Sequence, residues 1–528
     1  MKRKLALILA LLMVITAFTA CGSKQDSRPA QQSASDEMDV MYYAYNSIPI
    51  LAWDPSVEFS NGIIVLNNIY EQLLRFNAQT KEYEKVLATD YSKSEDGLVW
   101  TFKLREGVTF QDGTPFNAEA VKYSVERTQK LGQGASYIWD PVSEIKIIDD
   151  YTVEFVLSYA APMDVIVSCP YAAFMMSPSL EEQQENWFEE GNANGTGPYK
   201  LQESSMGDEV ILTKNDNYWK GWDGEHYEKI VVKKISETSS RRQMIESGEA
   251  DITVELPSED VEALKSSGKV NVEVVPSFTN LVGFFNTQKA PLNDKKVRDA
   301  LSYAFPYEDV VNYAMGGYAK QSFGPIPEGM WGHSNETMQY SYDLNKAKQL
   351  LSEAGIKEGE LKLVLTYMSG DEAEKKMAEL YKGELSKIGV ELEIRAMPWE
   401  SQWEMGRGTD AASQQDIFVM YWWNDLSTPY SYLYSLFHSE DEPLYNLAYY
   451  KNTDFDAMIN NAQSKTALDM AGAEKEFIDA QKLLMQDNPA IFMFDKSVAW
   501  VKSPSLKGHV DNPSYPFVVF FYNCYKEK

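Results

Sequence analysis

Leu104-Arg105-Glu106-Gly107-Val108-Thr109-Phe110-Gln111-Asp112-Gly113-Thr114-Pro115-Phe116-Asn117-Ala118-Glu119-Ala120-Val121 lays out strand end, turn and helix start in one continuous run. Val99 to Leu104, which leads into it, carries β-branched and aromatic residues and reads as a strand. Gln111-Asp112-Gly113-Thr114-Pro115 is turn chemistry, because glycine and proline supply the backbone angles a reversal needs. Asn117 is placed to cap a helix whose Val121 and Val125 fall at i, i+4 on one face.

Working outward, strands and helices keep alternating without a short internal repeat. Val40 to Tyr45 is strand-like and opens the globular part. Ile230 to Lys234 and Asn271 to Val275 read as strands, joined by a helix that begins near Ser239. Asp294 to Ala304 is an amphipathic helix with Val297, Leu301 and Ala304 on one side. Leu361 to Tyr367, Glu372 to Ile388 and Val390 to Ala396 follow as strand, helix and strand, a βαβ order that implies a parallel pair. A further strand, Asp416 to Trp423, makes a mixed or parallel α/β sheet the expectation for the C-terminal half.

The N-terminus reads differently. Lys2, Arg3 and Lys4 precede an apolar stretch from Leu5 to Phe18, then Thr19-Ala20-Cys21-Gly22, which is a secretory signal peptide pattern. Phe18-Thr19-Ala20-Cys21-Gly22 resembles the lipobox of bacterial lipoproteins, with phenylalanine where leucine is usual. The resemblance implies removal of residues 1–20 and a lipid anchor on Cys21. Two acyl chains anchor stably where one does not. Gly22 to Glu37 is polar and without apolar periodicity, so 21–38 reads as a flexible tether with a reach on the order of 20–25 Å.

Composition closes off several function classes. The chain has 528 residues and a formal net charge of −29, which becomes three units more negative once Lys2, Arg3 and Lys4 are lost. So acidic a body excludes nucleic acid as a partner, and any membrane attachment must come from the lipid. His226, His333, His438 and His509 are scattered singly, so no metal ligand set is legible. Cys169 and Cys524 have no redox or metal spacing and read as buried thiols. Neither Gly-x-Ser-x-Gly nor His-Glu-x-x-His occurs, so no catalytic residue, cofactor or enzyme activity is expected.

Five blocks together carry a resemblance to a known family. They are the Leu104 to Val121 run, Gly195-Thr196-Gly197-Pro198-Tyr199-Lys200-Leu201, Ser247-Gly248-Glu249-Ala250-Asp251-Ile252, Phe285-Asn286-Thr287 through Pro291 to Ala304, and Gly324-Pro325-Ile326-Pro327. In that order they resemble the peptide/nickel family (family 5) of ABC-transporter solute-binding lipoproteins, oligopeptide- or dipeptide-binding type. The resemblance implies a two-lobed α/β fold like that of periplasmic binding proteins (type II, cluster C), with hinge strands and an extra subdomain inserted in the first lobe. Lobe one would hold 39–70, 180–279 and 501–528, the insertion 71–179, and lobe two 280–500. It also implies an exported, monomeric protein on the outer face of the cytoplasmic membrane that captures oligopeptides between its lobes and delivers them to permease subunits and their ATPases. β-linked oligosaccharides and a nickel chelate are the alternative cargoes.

Site residues follow from the same resemblance. Tyr421-Trp422-Trp423-Asn424-Asp425 is similar to the family's Trp-x-x-Asp block, in which peptide binders hold the α-ammonium with the aspartate; Trp422 and Asp425 match that spacing. By the bare residues, a turn or N-cap aspartate is the alternative reading of Asp425. Trp399 corresponds to another pocket tryptophan, and Tyr45, Asn46 and Ser47 fall where the first lobe's ligand loop belongs. Dipeptide-specific members place an arginine just before the helix that starts here near Glu372. Thr366 to Asp371 has no basic residue, which favours longer or sequence-tolerant peptides. Replacing Cys21 with serine is expected to move the protein from the membrane fraction to the medium; retention by membranes would overturn the anchor.

Overall fold

Asn117 caps the helix Ala118–Leu131: its Oδ1 accepts the Ala120 N–H at 3.2 Å, and the helix stops where Gly132 turns left-handed. The computed structural model describes residues 39–47, 50, 52–205 and 208–527; the signal peptide, Cys21 and the tether lie outside them. Val121 and Val125 point from this helix into a core with Phe102, Trp139 and Phe155. Val99–Leu104 is the strand expected, second in an antiparallel sheet ordered Ala88–Lys93, Val99–Leu104, Thr152–Leu157, Val142–Asp149.

Two of the sequence blocks meet in space. Gln111 in the turn donates its backbone N–H to Gly195 O at 2.9 Å and its side-chain N–H to Tyr199 O at 2.8 Å. Gly195 and Gly197 are glycines because the chain presses there against the end of the helix Ile63–Ile69. A Cβ on Gly195 would lie 2.0 Å from Ile69 O, and one on Gly197 would lie 2.6 Å from Asn68 O. Thr196 between them donates to the buried carboxylate of Glu71, which also accepts from Tyr218 OH and Trp219 Nε1, all at 2.9 Å. Three donors satisfy that carboxylate and tie the insertion's start to the central region.

The main sheet is mixed. Its path runs Glu391–Met397, Lys362–Met368, Ile417–Trp422, Asn271–Phe285, Ala490–Lys502, Ile252–Thr253, Val40–Tyr45, Lys229–Lys234, Glu209–Lys214, Tyr199–Ser205. The βαβ reading appears as the parallel pair Lys362–Met368 with Glu391–Met397, connected by the helix Glu372–Ser386. The strand read from Asn271 to Val275 continues past Pro276 to Phe285.

That strand and Ala490–Lys502 are the two connections that run the length of the sheet's centre. One large core gathers residues from Phe278 to Phe494; another gathers Met41 to Val254 with Val498 to Cys524. The two long strands cross between these cores. Their antiparallel register breaks between Pro276 and Asn280, so Ser277, Phe278 and Thr279 face the single residue Lys496. A bulge bends a strand and re-aims the residue opposite it, and Ser277 Oγ fixes this one by donating to Lys496 O at 2.6 Å. Cys169 and Cys524 are free and buried, and burial pushes both thiols up to about 12. Among the described residues no helix is long and apolar enough to cross a membrane.

Gly195→Ala is expected to lose about 3 kcal/mol in urea unfolding, because the obstructing atom is backbone and cannot turn away. Gly383→Ala, in a helix with open space around it, should instead gain up to about 1 kcal/mol. Equal tolerance at both positions would refute the close-approach account.

Candidate ligand-binding cleft

A cavity of about 480 Å³ lies over the strand crossing, with Thr279 and Lys496 of the long strands at its base. Val40–Tyr45 ends at its edge and delivers Tyr45, Asn46 and Ser47; Ile417–Trp422 ends there too and delivers Tyr421 and Trp423. Trp399, first residue of the helix Trp399–Gly406 after the Pro398 cap, lines it from the same side as Met368, and Tyr171 and Phe517 complete the aromatic wall. Six residues anticipated from the sequence are therefore together: Tyr45, Asn46, Ser47, Trp399, Tyr421 and Trp423.

Trp422 and Asp425 are not among the lining residues. Trp422 packs on Tyr445 at 5.1 Å. It belongs to a run of rings, Trp399, Trp403, Tyr445, Trp422 and Trp423, with successive centroids 5.1–6.5 Å apart. Asp425 is partly buried in its own loop: its Oδ1 accepts from Leu426 N at 2.7 Å and from Ser431 Oγ, while no donor among the described residues reaches Oδ2. Burial raises its pKa. Its backbone O accepts from the Cys169 thiol of the insertion.

The charged groups of the cavity are ones the sequence did not reveal. Lys496, aimed inward by the register break, donates to Glu255 Oε1 at 2.7 Å; Asn46 Nδ2 donates to Glu255 Oε2 at 2.7 Å. Burial opposes ionisation of Glu255, but the Lys496 ammonium and these hydrogen bonds outweigh it and lower its pKa. Glu255 sits at φ 56°, a strained position for a side-chain-bearing residue, held in place by this pairing and by Arg241, which donates to its backbone O. On the facing side Asp371 caps the helix Glu372–Ser386, its Oδ1 accepting the Glu374 N–H at 2.8 Å. Glu374, 2% exposed, takes the Met368 N–H on Oε2 at 2.7 Å. Burial, with the Asp371 charge added, pushes its carboxyl up to about 8. A second cavity of about 420 Å³ adjoins, sharing Asn46, Glu255, Asp371, Tyr421 and Lys496. No histidine lines either cavity among the described residues, and no group of His, Cys, Asp and Glu there could hold a metal ion.

A sheet spanning two cores, crossed by two strands beneath an aromatic cavity, is the architecture of a two-lobed binding protein. Comparison with known proteins agrees. The family described as bacterial extracellular solute-binding proteins, family 5 Middle, matches residues 82–443. The chain is 31% identical over 471 residues to the probable D,D-dipeptide-binding periplasmic protein DdpA of Escherichia coli K12, covering 87% of this chain and 89% of that protein. DppA from Helicobacter pylori, solved in complex with the peptide STSA, superposes with a TM-score of 0.79 at 26% identity, over 93% of this chain and 98% of that one. NikZ from Campylobacter jejuni, solved with Ni(L-His), shares the fold at a TM-score of 0.81 and 23% identity, over 93% and 100%. The chain belongs to family 5 of the bacterial extracellular solute-binding proteins, a family of substrate-binding transport proteins.

The Glu374 carboxyl couples stability to pH. Below its ordinary value of 4.5 it is protonated in both folded and unfolded chains. As pH rises from there to about 8 the unfolded chain releases this proton and the folded one keeps it, so the contribution to stability falls across that window and then levels. The charged and titratable neighbours are Asp371, Tyr367, Tyr421, Lys496 and Glu255. Glu374→Gln removes the penalty, so the variant should gain on wild type by a few kcal/mol between pH 4.5 and pH 8. Melting curves that stay parallel across this range would contradict the burial assigned to Glu374.

Proposed function

We propose that this chain is the exported, lipid-anchored binding component of an ABC importer, that it captures oligopeptides in the cavity over the strand crossing, and that it passes them to permease subunits and their ATPases without altering them. One observation carries the reading. Residues from both cores line one cavity, Tyr45, Asn46 and Ser47 on one side and Trp399, Tyr421 and Trp423 on the other, so a ligand filling it contacts both lobes at once. The named cargo of relatives supports peptides: a D,D-dipeptide for DdpA and STSA for DppA. The expected lobe limits, 39–70, 180–279 and 501–528 against 280–500, have the same basis, and the register break opposite Lys496 supports a return crossing near the last of them. The protein acts as a monomer held by Cys21.

In this reading Asp425 fixes the peptide's α-ammonium through Oδ2, with Trp422 and Tyr445 beside it, and the cavity holds the residues that follow. A carboxylate oxygen without a donor, beside aromatic rings, suits an ammonium. Native mass spectrometry of the full chain purified from rich medium tests the class directly. A ladder of masses fitting short peptides is the expected result; a hexose-spaced series or a metal adduct would replace peptide by the alternative cargo. With a bound peptide identified, Asp425→Ala should cost about 2–5 kcal/mol in calorimetry, and unchanged affinity would remove the α-ammonium role from Asp425.

A further inference from the structure

The cavity is unbalanced in charge and in hydrogen-bonding character. Three carboxyl groups line it, Glu255, Asp371 and Glu374, against one basic residue among the described lining, Lys496. Lys496 is already paired with Glu255. Burial raises the pKa of Asp371 and Lys496, from beyond that pair, acts to lower it, but no cation among the described residues acts on Glu374: Lys375 on the same helix is turned to Glu372 at 3.5 Å. Asp371 takes the backbone N–H groups of Glu374 and Ala373 at the helix cap and Glu374 uses Oε2 for Met368 N, which leaves Glu374 Oε1 without a donor among the described residues. Independently, Asn46 Oδ1 is buried with no hydrogen-bond partner, in a residue that lines both cavities. All these free atoms are acceptors. Around them stand Tyr421, Trp399 and Trp423, whose ring faces favour a cation.

We propose that Asp371 and Glu374 form a receiving wall for the cationic side chain of a lysine or arginine in the bound peptide, with the neighbouring rings flanking its stem. The assignment rests on the peptide reading above and narrows it to peptides carrying a basic residue. Two acids buried side by side destabilise one another unless a proton or a cation lies between them. In the free protein Glu374 holds the proton. Arrival of an ammonium or guanidinium displaces it, and the proton leaves to solvent. An acidic side chain at the same place would meet Asp371 and be rejected.

The test uses the full chain in mild detergent and calorimetric titration with tetra-alanine peptides bearing one lysine, norleucine or glutamate at each position in turn. Norleucine has the lysine stem without its charge. At one position lysine should bind about tenfold or more tighter than norleucine, and glutamate weaker than both. At pH 7 the lysine peptide should also release a proton, seen as a binding enthalpy that changes with the buffer's ionisation enthalpy, a readout that needs no variant. In Asp371→Asn/Glu374→Gln, which keeps the helix cap and the Met368 acceptor, the lysine-to-norleucine ratio should collapse toward one. Peptides that bind without preference for lysine at any position would overturn the assignment and leave the peptide reading standing. Failure of every peptide, with cadaverine bound by wild type and not by the double variant, would discard the peptide and uphold the cationic wall.

Discussion

The antiparallel pairing of Asn271–Phe285 with Ala490–Lys502 is the constraint from which the rest of the molecule hangs. Each strand is half in one core and half in the other, so the lobes cannot form independently of the pairing that joins them. A perfectly regular ladder would make that junction stiff. Instead three residues face one at Ser277 to Thr279, with a second register shift at Leu281/Val282, and the regular ladder bonds are lost where the strands pass between the two cores. The same irregularity directs Lys496 into the cavity. Hinge and charge placement are therefore one feature of the backbone, not two adaptations.

Once Lys496 points inward, the electrostatics of the cavity follow. Breaking a partly buried ion pair costs more than its formation gains, so Glu255 must be held to Lys496 even at the expense of a left-handed backbone. Arg241, bonded to the Glu255 backbone O and to Ile235 O and Ser236 O, supplies the rigidity that keeps that conformation populated. With its ammonium bonded to Glu255, Lys496 reaches Asp371 only at longer range and leaves Glu374 without a cation among the described residues. Acids there are costly to the empty protein, and a residue that costs stability in a binding cleft is explained by the ligand rather than by the fold.

Local signals were legible because they are local. The Asn117 cap, the βαβ order at residues 361–396 and the turn at Gln111 to Pro115 depend on neighbours within a few positions, and each appears where the residues place it. The glycines of Gly195-Thr196-Gly197 were legible as a block but not as a cause, since the carbonyl that forbids a side chain belongs to Ile69, far away in sequence. Glu255 and Lys496 gave no signal at all: an ion pair between residues 241 positions apart, one of them in an unusual backbone region, has no sequence pattern. Thr366 to Asp371 was read only for the absence of a basic residue, and the acid that closes it, which caps the following helix, was not singled out. In the Tyr421 to Asp425 segment Trp422 packs on Tyr445 while Tyr421 and Trp423 line the cavity, a distinction that spacing to a family block does not make.

Closure of such a cleft is a question of which contacts exist only when the lobes meet. Several join the lobes without a ligand: the Cys169 thiol to Asp425 O, the Lys93 ammonium to Ala467 O, and Ser427 Oγ to Ser514 Oγ at 2.7 Å. Each is a neutral or singly charged hydrogen bond, worth about 1 kcal/mol net or little more, and three of them bias the equilibrium without fixing it. They leave room for a ligand to decide the population, because a ligand shifts a two-state equilibrium only by its difference in affinity for the two states. The aromatic wall from Tyr45 and Phe517 on one side to Trp399 and Trp423 on the other supplies that difference for any flat or apolar group. The acids at Asp371 and Glu374 stand on the second lobe alone, so a charge bound to them gains from closure only through what the rest of its molecule touches across the cleft. A cargo that is both charged and long thus closes the protein more completely than either property would alone.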